Sequence, residues 1–140
     1  MIDKQEFYHG AALYRLIEDS RFAGIKVYDG GFVTGDVFLV FKYRTKTRSP
    51  WQFSFQTKEV EHINNLASNF RRIVIAFICG GDGICGVYWH ELWPLLELQN
   101  AWISVKRNFN GQYSVSAAKG CIDGKIPQRR WPQLVFTDQE

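Results

Sequence analysis

Residues 36–56 read DVFLVFKYRTKTRSPWQFSFQ, an apolar run that turns basic, breaks at Ser49-Pro50 and resumes as a short aromatic strand. Over 37–46 the even positions Phe38, Val40, Lys42, Arg44 and Lys46 share one face, and Val37, Leu39, Phe41, Tyr43 and Thr45 share the other, because successive side chains of a strand point to opposite sides. The strand is therefore expected to start inside the core and to leave it as it proceeds. Lys42, Arg44, Lys46 and, in the following loop, Arg48 would then form a ladder of positive charge at ~6.6 Å intervals, comparable to the phosphate spacing of a nucleic-acid strand. Such a ladder holds backbone rather than bases. The competing reading is that basic residues on an edge strand deter aggregation and bind nothing. In WQFSFQ the aromatic Trp51, Phe53 and Phe55 alternate with Gln52, Ser54 and Gln56. That is the pattern of a half-buried strand, with core the expected use of the aromatic face and a base-stacking platform the alternative.

Working outward, residues 5–19 place Phe7, Ala11, Tyr14 and Ile17 on one helical stripe, widened by Leu13 and Leu16, which predicts an amphipathic first helix. IKVYD at 25–29 alternates as a first strand and closes at Gly30-Gly31; a short FVT leads to the turn Gly35-Asp36. Thr57 is the expected N-cap of a second helix over 58–70 with Val60, Ile63, Ala67 and Phe70 on its inner face, since a hydroxyl there can accept from a free amide of the first turn. IVIAFIC at 73–79 is apolar without alternation, as suits a central strand covered on both faces. GGDGI turns into CGVYW, and HELWPLLEL at 90–98 begins a short helix that tolerates Pro94 only in its first turn. WISVKRNF and QYSVSAA flank Asn110-Gly111, the pair that supplies positive φ to a two-residue hairpin turn. The tail ends in WPQLVF, expected to dock back on the body. The result is one α+β domain over 1–140: a mixed central sheet flanked by two helices in the order αβββαββ (core 5–98), with an appended hairpin and tail at 99–140.

At 140 residues, with 46% hydrophobic and 16% aromatic residues, the chain can build a proper core. Its net charge of +3 leans towards an acidic partner without requiring one. There is no signal-peptide pattern at the N-terminus and no run approaching the ~20 apolar residues of a membrane span, so a cytoplasmic protein with no membrane partner is expected. Cys79, Cys85 and Cys121 are an odd set and make no disulfide framework. The spacing of Cys79 and Cys85 suits zinc poorly, and no metal site is expected. His9, His62 and His90 share no site-like spacing, and the GGDG at 80–83 lacks the lysine of a phosphate loop.

A helix, a three-strand meander, a second helix and a buried strand, here read with 25–29, 37–46 and 51–56 as the meander, resembles the PD-(D/E)XK, or restriction-endonuclease-like, nuclease superfamily over about residues 5–89. The resemblance implies an Asp on the second strand and an acid-x-Lys on the third that bind divalent metal and orient water, sometimes helped by a Glu of the first helix. Carboxylates suit hard Mg2+, and the lysine answers charge developing on phosphate. Asp36 matches the first acid, but the third strand reads Gln52-Phe53-Ser54 where acid-x-Lys belongs. A displaced site of Asp36, Glu18 and Lys42 is the catalytic candidate; six strand residues separate Asp36 from Lys42 by ~20 Å, too far to share one ion. The segments Ser49-Pro50-Trp51-x-Phe53-x-Phe55 and Cys79-Gly80-x-Asp82-Gly83-x-Cys85 also resemble small bacterial proteins with a similar lysine-bearing strand.

The expectation is a nucleic-acid-binding domain of nuclease-like fold, inactive or atypical in catalysis, that contacts DNA or RNA backbone through Lys42, Arg44, Lys46 and Arg48 and needs no cofactor. One alternative is an interaction subunit that docks on a protein partner, or on a second copy as a homodimer, through the hairpin and aromatic surface, since large aromatics favour interfaces. The other is a nuclease that uses Mg2+.

Overall fold

The computed structural model describes residues 1–97, 101–108 and 110–137. Leu98 at the end of the expected third helix, the core boundary set at 98/99, Phe109 at the end of an expected strand, and 138–140 of the tail lie outside the described residues. The described residues form a mixed α+β domain with four helices and nine strands in two sheets. Strands β1 (Lys26–Tyr28), β2 (Gly31–Thr34), β3 (Val37–Arg44), β5 (Arg72–Cys79) and β6 (Gly83–Tyr88) make the first sheet in that spatial order. Only the β3–β5 pair is parallel. The second sheet runs β4 (Trp51–Phe55), β7 (Ala101–Arg107), β8 (Tyr113–Ala117), β9 (Gly120–Cys121) and is antiparallel throughout.

IVIAFIC behaves as its composition demands. β5 pairs with β3 on one side and β6 on the other, and its residues alternate between two apolar clusters. Ile73, Ile75, Phe77 and Cys79 join Phe38 and Val40 of β3 against the inner face of the second sheet. Val74, Ala76 and Ile78 join Val37, Leu39 and Phe41 beneath α1 (Lys4–Glu18) and α4 (Arg130–Phe136). The tail thus docks as expected, through Trp131, Leu134 and Val135. α2 (Thr57–Leu66) and α3 (Trp89–Leu92), the latter running into a 3-10 turn at Trp93–Leu95, cover the other side with Ile63, Leu66, Trp89 and Leu92. Phe77 sits 4.6 Å from Phe53 and 6.3 Å from Phe55 between ring centroids, so the aromatic face of WQFSF is core.

The structure corrects several expectations. WQFSF is not the third strand of the meander; it leaves the first sheet to edge the second, and the short FVT segment supplies the middle strand β2 instead. The hairpin is no appendage, because β7 and β8 put Ile103, Val105, Tyr113 and Val115 into the larger cluster. One face of the central sheet therefore carries α1 and α4, and the other the second sheet together with α2 and α3. β3 stops at Arg44 rather than 46. α2 starts one residue early, with Gln56 as N-cap, and stops at Leu66, where Asn64, Asn65, Ser68 and Asn69 offer the backbone competing hydrogen bonds. The β7–β8 connection spans 108–112 by register, and of Asn110-Gly111 only Asn110 takes positive φ, at 59°.

The first helix is turned about its axis. Asp3 and Glu6 close a capping box at its start, with Glu6 N donating to Asp3 Oδ1 at 2.8 Å. Ala12 and Leu16 face the sheet, Tyr8 stacks on Tyr43 at 5.1 Å, and His9 stands edge-on to Phe41 at 5.5 Å. Burial lowers the His9 pKa below its ordinary value. The stripe expected to face inward, Phe7, Ala11, Tyr14 and Ile17, faces out.

Candidate nucleic-acid interface

The expected ladder does not stay in line. Lys42 points from β3 towards β4 and α2, with its side chain only 18% exposed. Its Nζ donates to the Ser54 carbonyl at 2.8 Å, pairs with Glu59 Oε2 at 2.7 Å and lies 4.2 Å from the centre of the Phe55 ring. Glu59 is held in turn by the Gln56 amide at 3.2 Å. This ammonium ties three elements together. Lys42→Met keeps the apolar stem and deletes the charge, leaving Glu59 half-shielded without its partner, so about 1–2 kcal/mol of stability should be lost in urea unfolding.

The catalytic candidates also go separate ways. Asp36 lies in the β2–β3 turn, exposed, with Arg71 Nη1 4.0 Å away. Glu18 ends α1, exposed. Asp29, in left-handed backbone at φ 45°, pairs with His62 Nε2 at 3.5 Å. The carboxylate beside Lys42 is Glu59. Among the described residues no three His, Cys, Asp or Glu side chains gather as a metal site. Cys79 and Cys85 are buried, and burial pushes both thiols well above their ordinary pKa.

Beyond Lys42 the basic residues meet others from the second sheet. Arg44 and Lys46 line a depression with Pro50, Trp51 and Gln52. Lys46 Nζ donates to the Pro50 carbonyl at 3.2 Å, and the Lys46 carbonyl accepts from Trp51 Nε1 at 2.8 Å. Arg48 is exposed in the intervening loop. Trp51 pairs with Val105, and Ser49 Oγ donates to the Arg107 carbonyl at 3.2 Å, which places Pro50 beside Lys106. Lys106 is in turn opposite Ser114, whose Oγ accepts from Lys125 Nζ at 2.6 Å. Lys46, Lys106 and Lys125 thus cross one end of the second sheet in a row about two strand spacings, or ~10 Å, wide at the backbone.

Next to this row is the outer face of the second sheet. Gln52, Ser104 and Ser116 stand in register on β4, β7 and β8, and Trp102 stands opposite Ser54, 52% exposed. Gln52, Trp102, Ser104 and Ser116, together with the Glu97 carboxylate, line a shallow depression of about 430 Å³. Two further cations are engaged within the chain, Arg107 with Asp82 and Arg130 with Glu91. Trp102 and Lys125 were not legible as site residues. Alternation along 101–107 is the one signal that marks Trp102 and Lys106 as outward; Lys125 is placed by the bridge Tyr113↔Ile126, which no local pattern announces. No family model matches the chain, and neither does any curated protein or solved structure.

Proposed function

We propose that this chain binds nucleic acid through its phosphate backbone along the basic row Lys46, Lys106 and Lys125, with Arg44 and Arg48 on its β4 side, and does not cut it. The observation that carries the reading is the convergence of cations from three distant segments on one sheet end. Ammonium groups carried on neighbouring strands at one sheet end suit a polyanion. The test is salt-dependent binding of labelled oligonucleotides to the wild type and to the chain with all three lysines replaced by Glu. Unchanged affinity and salt slope would sink it.

The order α1, antiparallel β1–β2–β3, then α2 after the intervening β4 of the second sheet, and a β5 parallel to β3 supports the likeness to the PD-(D/E)XK nucleases. With the meander so drawn, the third strand is 37–44, and Val40-Phe41-Lys42 falls where acid-x-Lys is expected. The lysine is present and the acid is replaced by a buried valine. With Lys42 held by Glu59 and Asp36 beside Arg71, a binding role is favoured over Mg2+-dependent cleavage.

Trp102 makes single strands the preferred ligand, since an exposed indole four residues, or ~13 Å, along β7 from Lys106 can stack on an unpaired base of a strand held by the row. Trp102→Ala should weaken single-stranded binding by about 1–3 kcal/mol and leave duplex affinity unaltered. Titration of both forms by fluorescence anisotropy reads the difference; equal losses would remove the stacking role.

A further inference from the structure

Phe7, Tyr14 and Ile17 on α1 are 63%, 64% and 54% exposed, on the side of the helix opposite to Ala12 and Leu16. With Gly10 they recur at positions 7, 10, 14 and 17, the 3-4-3 spacing of a seam along which two helices pack. Gly10 is a separate anomaly. Glycine is the least favourable residue in a helix interior after proline, yet a Cβ at Gly10 would meet no described atom within 4 Å beyond its chain neighbours and its own helix backbone. Nothing in the monomer needs the missing side chain; a second helix approaching closely does.

We propose that α1 is the interface between two copies of this chain, packed as an antiparallel helix pair about a two-fold axis. The flanking charges select this occupant. The antiparallel register that sets Phe7 against the partner's Ile17 and Gly10 against the partner's Tyr14 brings Lys4 opposite the partner's Glu18, and symmetry makes the pair twice. Lys4 and Glu18 are exposed and pair with no described residue of their own chain. A helix lying on a lipid surface is bordered by Lys and Arg, whereas this stripe is bordered by Lys4, Glu6 and Glu18, of mixed sign with acids in excess. One four-turn helix pair is small beside the ~1,200 Å² of a stable interface, so a weak dimer that forms only as concentration rises is expected. This surface is separate from the basic row and does not depend on nucleic-acid binding.

Sedimentation velocity of the full chain from low to high micromolar concentration tests it. The wild type should show a monomer–dimer equilibrium, and Tyr14→Glu should stay monomeric throughout with an unchanged circular-dichroism melt. Lys4→Glu and Glu18→Lys should each weaken the dimer by about tenfold, and the two together should restore it. Gly10→Leu should raise the thermal stability of the monomer while blocking association. A wild type that stays monomeric at the highest concentration, a dimer indifferent to Tyr14→Glu, or a charge swap without recovery would overturn the proposal. So would a monomer that sediments with phosphatidylcholine–phosphatidylserine vesicles through Tyr14.

Discussion

Asp82→Ala should lower the unfolding free energy by about 2–4 kcal/mol, a large part of the roughly 5–15 kcal/mol of an ordinary domain. Asp82 lies in the β5–β6 turn, and its carboxylate takes both Nε, at 2.7 Å, and Nη2 of Arg107 from β7, and the Tyr113 hydroxyl from β8 at 2.8 Å. Gln128 Nε2 donates to the Asp82 carbonyl at 3.0 Å. The turn of one sheet is thereby fastened to the other. Truncation leaves a guanidinium and a phenol with little water to replace the lost acceptor, since the Asp82 and Arg107 side chains are 17% and 19% exposed. Some water does reach them, which keeps the cost below that of a fully buried pair. Removing both partners, as Asp82→Ala with Arg107→Met, should cost less than the sum of the single changes, because no charge is then stranded.

The same carboxylate gives the stability a pH signature. Arg107 holds its pKa below the ordinary 3.8, with the Tyr113 hydroxyl helping. The folded chain therefore binds this proton less tightly than the unfolded one. The contribution is complete above the unfolded value and is lost as pH falls through the lower folded one. Burial pushes the Tyr113 phenol up, so its contribution is complete below about pH 10, the unfolded value, and is lost as pH rises towards the folded one. Urea midpoints across the acid range should show a falling limb below about pH 4 in the wild type that is reduced in Asp82→Ala. Parallel curves would mean that the carboxylate is not tied in this way.

What could be read from the sequence follows from how locally each feature is determined. The burial of 73–79 was legible because a strand covered on both faces needs no polar positions, and the parity of 37–44 and 51–55 because the pleat is fixed by the backbone. Which sheet Trp51–Phe55 would join was not legible, since its alternation satisfies any apolar layer. α1 carries two apolar stripes, and the choice of Tyr8, Ala12 and Leu16 is made by Phe41 and Tyr43 on the sheet, not by the helix. Lys42 shares a face with Phe38 and Val40, and that face is core; its ion pair comes from Glu59, seventeen residues away. The basic row needs two sheet registers at once, which no single segment encodes.

The largest functional effect is expected from that row. Replacing Lys46, Lys106 and Lys125 together by Glu should weaken binding of single-stranded oligonucleotides by about a hundredfold or more near physiological salt, with the slope of log K against log salt reduced by about two, since each backbone phosphate contributes roughly 0.7. Lys106 and Lys125 are exposed and make no ion pair within the chain among the described residues, so their loss should cost little stability. Lys46 has a second requirement. Its carbonyl approaches Gly80, at φ 56°, so closely that a Cβ there would overlap the oxygen. Gly80→Ala should therefore displace the 45–50 loop without removing any charge, and weaken binding through Lys46 while leaving Lys106 and Lys125 in place. A loss intermediate between wild type and the triple variant, with the salt slope reduced by about one phosphate contact, is the expected result. Full affinity in Gly80→Ala would mean that the position of Lys46 is immaterial, and the row would then reduce to the two lysines of the second sheet.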